Sequence, residues 1–166
     1  MAKVYIVGSV GSGKTTLAKK LSSELDIKHY ELDDVTWEYN PSGDDRKRSD
    51  EEILEIFSSI LNKKDWIIEN VGKDIYNAGF DKADTIIYLK IRKINLYKQI
   101  VFRWIKQKLK IEKSPMKPSL KVLRQMLKWA DKELKSSKLN ILGNYNDKLI
   151  ILTEKTVNKY NYKNRL

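Results

Sequence analysis

The chain has no cysteine, one histidine and three prolines among its 166 residues. Without cysteine there are no disulfides, thiolate metal ligands or thiol nucleophiles, and a single histidine leaves no His-rich metal centre or histidine relay. Long apolar runs are missing too: the longest are short segments such as Val4-Tyr5-Ile6-Val7, well under the roughly 20 residues a membrane-spanning helix requires. The amino terminus carries one lysine and an apolar run that stops at Gly8, without the core or cleavage pattern of a secretory signal. These absences lead to the expectation of a cytoplasmic chain with no membrane contact.

What is present suits a folded enzyme-sized unit. Hydrophobic residues make up 41% and charged residues 33%, and the length matches a single domain, 1–166, with a real core. The formal charge is +11, from 33 Lys+Arg against 22 Asp+Glu. It is unevenly spread. Residues 1–81 hold 11 basic and 16 acidic side chains, whereas 82–166 hold 22 and 6. The segment Lys90–Lys138 alone has 16 basic and 3 acidic residues, so an anion is expected to meet it.

Val4-Tyr5-Ile6-Val7 reads as a strand buried on both faces of a parallel sheet. Gly8–Gly13 breaks it, and from Lys14 the apolar positions Leu17, Leu21 and Leu25 recur at helical spacing. A short strand follows near Lys28–Leu32, then a polar loop from Asp33. Ser49 with Glu52 three residues later makes a capping box that opens a helix. Trp66-Ile67-Ile68, Thr85–Leu89 and Leu149–Leu152 supply three further strands. Strands alternating with helices predict an α/β fold built on a five-stranded parallel sheet. Between the fourth and fifth strands, Ile94, Tyr97, Val101, Trp104 and Ile105 line one helix face, and Leu120, Leu123, Leu127, Ala130 and Leu134 another. With Ser114-Pro115-Met116-Lys117-Pro118 between them, about 92–138 reads as a helical hairpin. Lys121, Arg124, Lys128, Lys132 and Lys135 form a basic stripe on its second helix.

Gly8-Ser9-Val10-Gly11-Ser12-Gly13-Lys14-Thr15 fits G-x-x-x-x-G-K-[ST] at every fixed position. The glycines let successive backbone N–H groups turn inward, and the following helix adds its positive amino-terminal end. The loop is therefore expected to cradle phosphate, with Thr16 continuing the contact. Lys14 should reach the β- and γ-phosphates of ATP, and the Thr15 hydroxyl should ligate Mg²⁺.

This strand–loop–helix, in a short chain with this order of elements, resembles the nucleoside-monophosphate-kinase branch of P-loop proteins. With Tyr30-Glu31-Leu32-Asp33 and Trp66-Ile67-Ile68-Glu69 downstream, it is also similar to the bacterial topology modulation (FlaR-related) proteins. The resemblance implies a three-layer P-loop NTPase fold with a helical lid, and transfer of the γ-phosphoryl of Mg-ATP to a nucleotide, nucleoside or other alcohol. It puts the strand bearing Glu69 beside the first strand, where an acid holds the Mg²⁺ shell. Adenylate-type kinases have Asp-Gly there and this chain has Glu69-Asn70. Asp33 and Asp34 follow the second strand, where a faint likeness to shikimate kinases implies a carboxylate for the acceptor hydroxyl; Asp33 is favoured as the catalytic one. Arg46 or Arg48, in the loop from Trp37 to Ser49, would grip an acceptor phosphate. Trp37 would either stack on a base or cover the core. The basic hairpin resembles a lid supplying Arg103 and Arg124 to the transferring group, and Thr153–Lys155 would hold adenine. Two other readings stay open: a nucleic-acid-binding protein linked to DNA topology, acting through the basic hairpin, and a nucleotide-gated switch with slow ATPase activity.

Overall fold

The computed structural model describes residues 2–40, 45–70, 73–112, 117–135 and 141–162. Its centre is β1, Lys3–Gly8, flanked by β5, Trp66–Asn70, and β6, Thr85–Leu89, both parallel to it. The short β2, His29–Glu31, adds outside β5, and β7, Leu149–Leu152, outside β6. All five strands run parallel in the order β2-β5-β1-β6-β7. The third sheet strand in sequence thus lies beside the first, with Ile6 opposite Glu69 and Val7 opposite Asn70.

Side-chain alternation along β1 divides the interior into two cores. Val4 and Ile6 face α1, Lys14–Leu25, where Leu17, Ala18 and Leu21 meet Ile67, Ile87 and Leu96. Tyr5 and Val7 face the other way, onto α3, Asp50–Leu61, and α4, Ala78–Lys82. Aromatics dominate that second core. Tyr5 and Phe80 meet edge to face with centroids 4.9 Å apart, and Phe57 and Tyr76 at 5.0 Å. Removing one such buried ring costs on the order of 3–5 kcal/mol. A sheet covered by helices on both faces is the three-layer α/β architecture of the P-loop NTPase fold.

The capping box forms as its spacing predicts: Ser49 Oγ accepts the Glu52 N–H, and Glu52 accepts the Ser49 N–H. Two expectations need correction. The polar loop from Asp33 contains a one-turn helix α2, Leu32–Thr36, followed by a two-stranded antiparallel ladder of β3, Trp37–Glu38, with β4, Arg46–Lys47. Leu32, Val35 and Thr36 are buried, and this tertiary cover lets so short a helix form. The second correction concerns the hairpin helices α5, Lys93–Lys108, and α6, Leu120–Leu134. The face of α5 that is buried is Leu96, Ile100 and Gln107, not the stripe of Ile94, Tyr97, Val101, Trp104 and Ile105. Ile94 is 58% exposed and Phe102 61%. This helix has apolar residues on two sides, and the side toward α1 and the glycine loop is the one covered. On α6, Ala130 is buried while Leu120 is 60% exposed. Positions 41–44 of the expected Trp37–Ser49 loop and 114–116 of the interhelical linker fall outside the described residues. Among the described residues no helix is long and apolar enough to cross a membrane.

Candidate active site

The glycine loop joins the carboxyl end of β1 to the first turn of α1, and its turn is closed by Ser12 N–H donating to Ser9 O at 3.0 Å. Gly13, the residue before α1, has φ +90°, and Gly11 has φ +75°. An L side chain is strained at both. At Gly11 a Cβ would also stand 2.7 Å from Ile100 of α5, so the hairpin packs on the loop through a position that only glycine fills. The amide groups left pointing into the loop suit an anion.

Three side chains converge there. Lys14, only 8% exposed, donates from Nζ to Ser9 O at 3.0 Å, holding the ammonium over the loop. Thr15 Oγ1 donates to Glu69 Oε1 at 2.6 Å, tying α1 to the end of β5. Ser12 Oγ and Glu69 Oε2 are buried without a hydrogen-bond partner. A native interior seldom leaves such groups unsatisfied unless a ligand completes them. Burial pushes the Glu69 carboxyl up to about 7, against the lowering effects of the Thr15 hydrogen bond and the Lys14 charge, with Glu31 across the sheet register adding repulsion. Among the described residues no cluster of three His, Cys, Asp or Glu could chelate an ion without help. A hydroxyl beside one carboxylate is nevertheless the hard-oxygen donor set that Mg²⁺ uses when phosphates and water supply the rest. The orphaned oxygens and the oxygen donors thus have the chemistry that a magnesium-bound nucleotide phosphate would complete.

At the neighbouring strand end, Asp33 and Asp34 occupy the first turn of α2 and are exposed. Lys73 Nζ bridges Asp33 Oδ1 at 3.3 Å and Thr36 Oγ1 at 3.1 Å. Asp34 is raised above the usual carboxylate range by partial burial and by the charges of Glu31 and Asp33. The Tyr39 hydroxyl is likewise raised, first by partial burial and then by Asp34, Asp33 and Asp45. Two groups therefore sense one negative field. The arginines expected to grip an acceptor phosphate have other partners. Arg48 Nη1 donates to the carbonyls of Asp34, Val35 and Trp37, closing the carboxyl end of α2. Arg46 forks between Glu38 and Glu52, at 2.7 and 2.9 Å, and holds the Glu52 carboxyl down at about 2. Trp37 lies in the β3–β4 ladder, partly exposed, beside these groups.

The hairpin cations divide. Arg103 shares the 3–4 spacing of Leu96, Ile100 and Gln107, one turn beyond the residue touching Gly11, and its Nε donates to Glu112 at 2.8 Å. Arg124 sits on the exposed stripe of α6 with Lys121, Lys128, Lys132 and Lys135. His29 is half-buried in β2, 3.8 Å from Glu31. On the far side, Thr153, Glu154 and Lys155 share a cleft of about 560 Å³ with Ser9, Tyr88 and Arg92. Arg92 and Asn95 both donate to Glu154 there. Sequence reasoning missed Lys73 and Glu133, neither of which belongs to a local motif. Glu133 of α6 accepts the Val10 N–H of the glycine loop at 2.8 Å.

Solved structures share this architecture. A gluconokinase from Sinorhizobium meliloti 1021 superposes with TM-score 0.54 at 11% identity, over 92% of this chain and 82% of that one. A shikimate kinase from Bacteroides thetaiotaomicron gives 0.57 at 14%, over 99% of each chain. An uncharacterized protein from Eubacterium ventriosum ATCC 27560 gives 0.53 at 16%, over 94% and 91%. No protein-family model matches the sequence and no curated protein matches it. At these identities the likeness establishes the fold, and the similarity to topology modulation proteins gains no support from it.

Proposed function

We propose that the chain is a Mg-ATP-dependent kinase that transfers the γ-phosphoryl group to a hydroxyl of an uncharged small molecule. The observation that carries this reading is the convergence of Lys14, the partnerless Ser12 hydroxyl and the Thr15–Glu69 pair on one glycine loop. The fold shared with a gluconokinase and a shikimate kinase supports it.

In this reading the amides of Ser9 to Thr16 and the Lys14 ammonium hold the phosphates in line, a task that is largely positioning and charge stabilisation. Thr15 and Glu69 would hold Mg²⁺, which when bound would supply positive charge against the phosphates. Asp33, kept in place by Lys73, orients the acceptor hydroxyl and takes its proton. Arg103 lies on the helix face that meets the loop and reaches the transferring group once it leaves Glu112. Thr153–Lys155 border the base. The acceptor side is acidic through Glu31, Asp33 and Asp34, and Arg46 and Arg48 are held by other groups, which favours a nucleoside, sugar or other alcohol over a phosphate-bearing acceptor.

The test is ATP consumption by purified protein with matched acceptors: nucleoside against nucleoside monophosphate, sugar against sugar phosphate. Turnover with the uncharged member of a pair is expected. Turnover only with the phosphorylated member would reject the acceptor assignment, and no binding of Mg-ATP would reject the kinase. A second reading, nucleic-acid binding, is favoured by the exposed Lys121–Lys135 stripe of α6. It calls for DNA or RNA affinity that persists at about 150 mM salt. A nucleotide-gated switch would instead hydrolyse ATP slowly and respond to no acceptor.

A further inference from the structure

The glycine loop already holds an anion supplied by the chain itself. Val10 N–H, in the middle of the loop, donates to Glu133 Oε2 at 2.8 Å across 123 residues of sequence. Glu133 belongs to the last turn of α6, and α6 is anchored independently of it. Asp131, two residues earlier and so on a well-separated face, accepts from the Tyr97 hydroxyl at 2.6 Å and pairs with Lys93 at 2.7 Å. Both helices of the hairpin therefore meet the loop, α5 through Ile100 against Gly11 and α6 through a carboxylate. A carboxylate oxygen on a backbone amide makes the same charge-assisted contact a phosphate oxygen would make.

We propose that Glu133 is a charge latch: it occupies an anion position of the phosphate loop, so that phosphate binding and the Glu133–Val10 contact exclude each other. The inference rests on the loop's being a phosphate site, not on any acceptor. Coupling of this kind is reciprocal. Phosphates drive the last turn of α6 off the loop, and holding α6 down weakens phosphate binding. The bond to Asp131 keeps α6 against α5 meanwhile, so release is local to the turn that carries Glu133.

The experiment titrates the full chain calorimetrically with Mg-ATP and, separately, with tripolyphosphate, which has no base. Wild type is compared with Glu133→Gln, which keeps a hydrogen-bond acceptor and loses the charge, and Glu133→Ala, which loses both; melting temperatures confirm that each variant is folded. Both variants are expected to bind both ligands about five- to tenfold more tightly than wild type. Affinity equal to or weaker than wild type in both variants would overturn the latch, and tightening in Glu133→Ala alone would overturn its electrostatic basis. Failure of every form to bind either ligand would remove the phosphate site and the latch together. Tighter binding by the variants without phosphoryl transfer to any acceptor would remove the kinase reading and leave the latch standing.

Discussion

The glycine loop and the α5–α6 hairpin meet at two contacts, yet they are built on opposite principles. The loop is local: within eight residues it has two positive-φ glycines, a buried lysine and a hydroxyl tied to the neighbouring strand. Almost every position answers to backbone geometry or to an anion. The hairpin is long, lysine-rich and largely exposed, and most of its charges touch solvent. Its contribution to the site runs through a few residues, Ile100 against Gly11 and Glu133 on Val10. Density of constraint, rather than density of charge, separates the two regions.

The largest expected effect breaks the loop's side of this contrast. Lys14→Ala should lower turnover by about 10³-fold, since it removes a cation aimed at the phosphates, while circular dichroism and melting temperature stay near wild type. Steady-state kinetics of the purified variant check it. Next is backbone geometry. Gly11→Ala places a side chain at φ +75° against Ile100 and should cost about 2 kcal/mol, whereas Lys128→Ala on the hairpin stripe should stay within about 0.5 kcal/mol. Urea unfolding of the two variants measures the contrast directly, and equal costs would erase it.

A third test uses pH. Because burial pushes Glu69 up to about 7, the folded chain retains a proton there that the unfolded chain gives up near the ordinary carboxylate value. Stability should therefore fall as pH rises through the window from about 4.5 to about 7 and then level off, and Glu69→Gln should flatten that segment. Thermal melts without Mg²⁺ at stepped pH report it. With Mg²⁺ present, stabilisation by the ion should grow over the same window if Glu69 holds it, since an ionised carboxylate binds a cation better than a protonated one. The smallest effect belongs to the hairpin surface. Replacing Lys121, Lys128 and Lys132 by Gln should leave turnover within about twofold, because solvated lysines on an exposed helix face interact only weakly through water and salt; a larger loss would bring the stripe into the catalytic machinery.

The legible and illegible parts of this protein divide in the same way as the two regions. The strands at Val4–Val7, Trp66–Ile68 and Thr85–Leu89, the Ser49–Glu52 cap and the phosphate loop are each written in neighbouring residues, because period, capping and φ are local requirements. α2 was hidden, since Leu32–Thr36 has a single turn and two acids that suit a loop equally well until Val35 and Thr36 are buried. The covered face of α5 was hidden because Ile94, Val101 and Ile105 keep helical period as well as Leu96 and Ile100 do. The tasks of Arg46 and Arg48 were also beyond reach, because a carbonyl cluster and an acidic pair compete for them only after the β3–β4 ladder forms.

The sequence by itself therefore determined a parallel α/β sheet, a glycine loop with its lysine and hydroxyl, and a basic hairpin. Tertiary structure alone decided that Glu69 reaches Thr15, that the arginines near Asp33 and Asp34 are engaged by other groups, and that Glu133 lies on Val10. The reason is physical. Propensity and turn geometry act over a few residues, whereas a contact between positions 10 and 133 exists only because packing the whole sheet and its helices makes it the lowest free-energy arrangement for both.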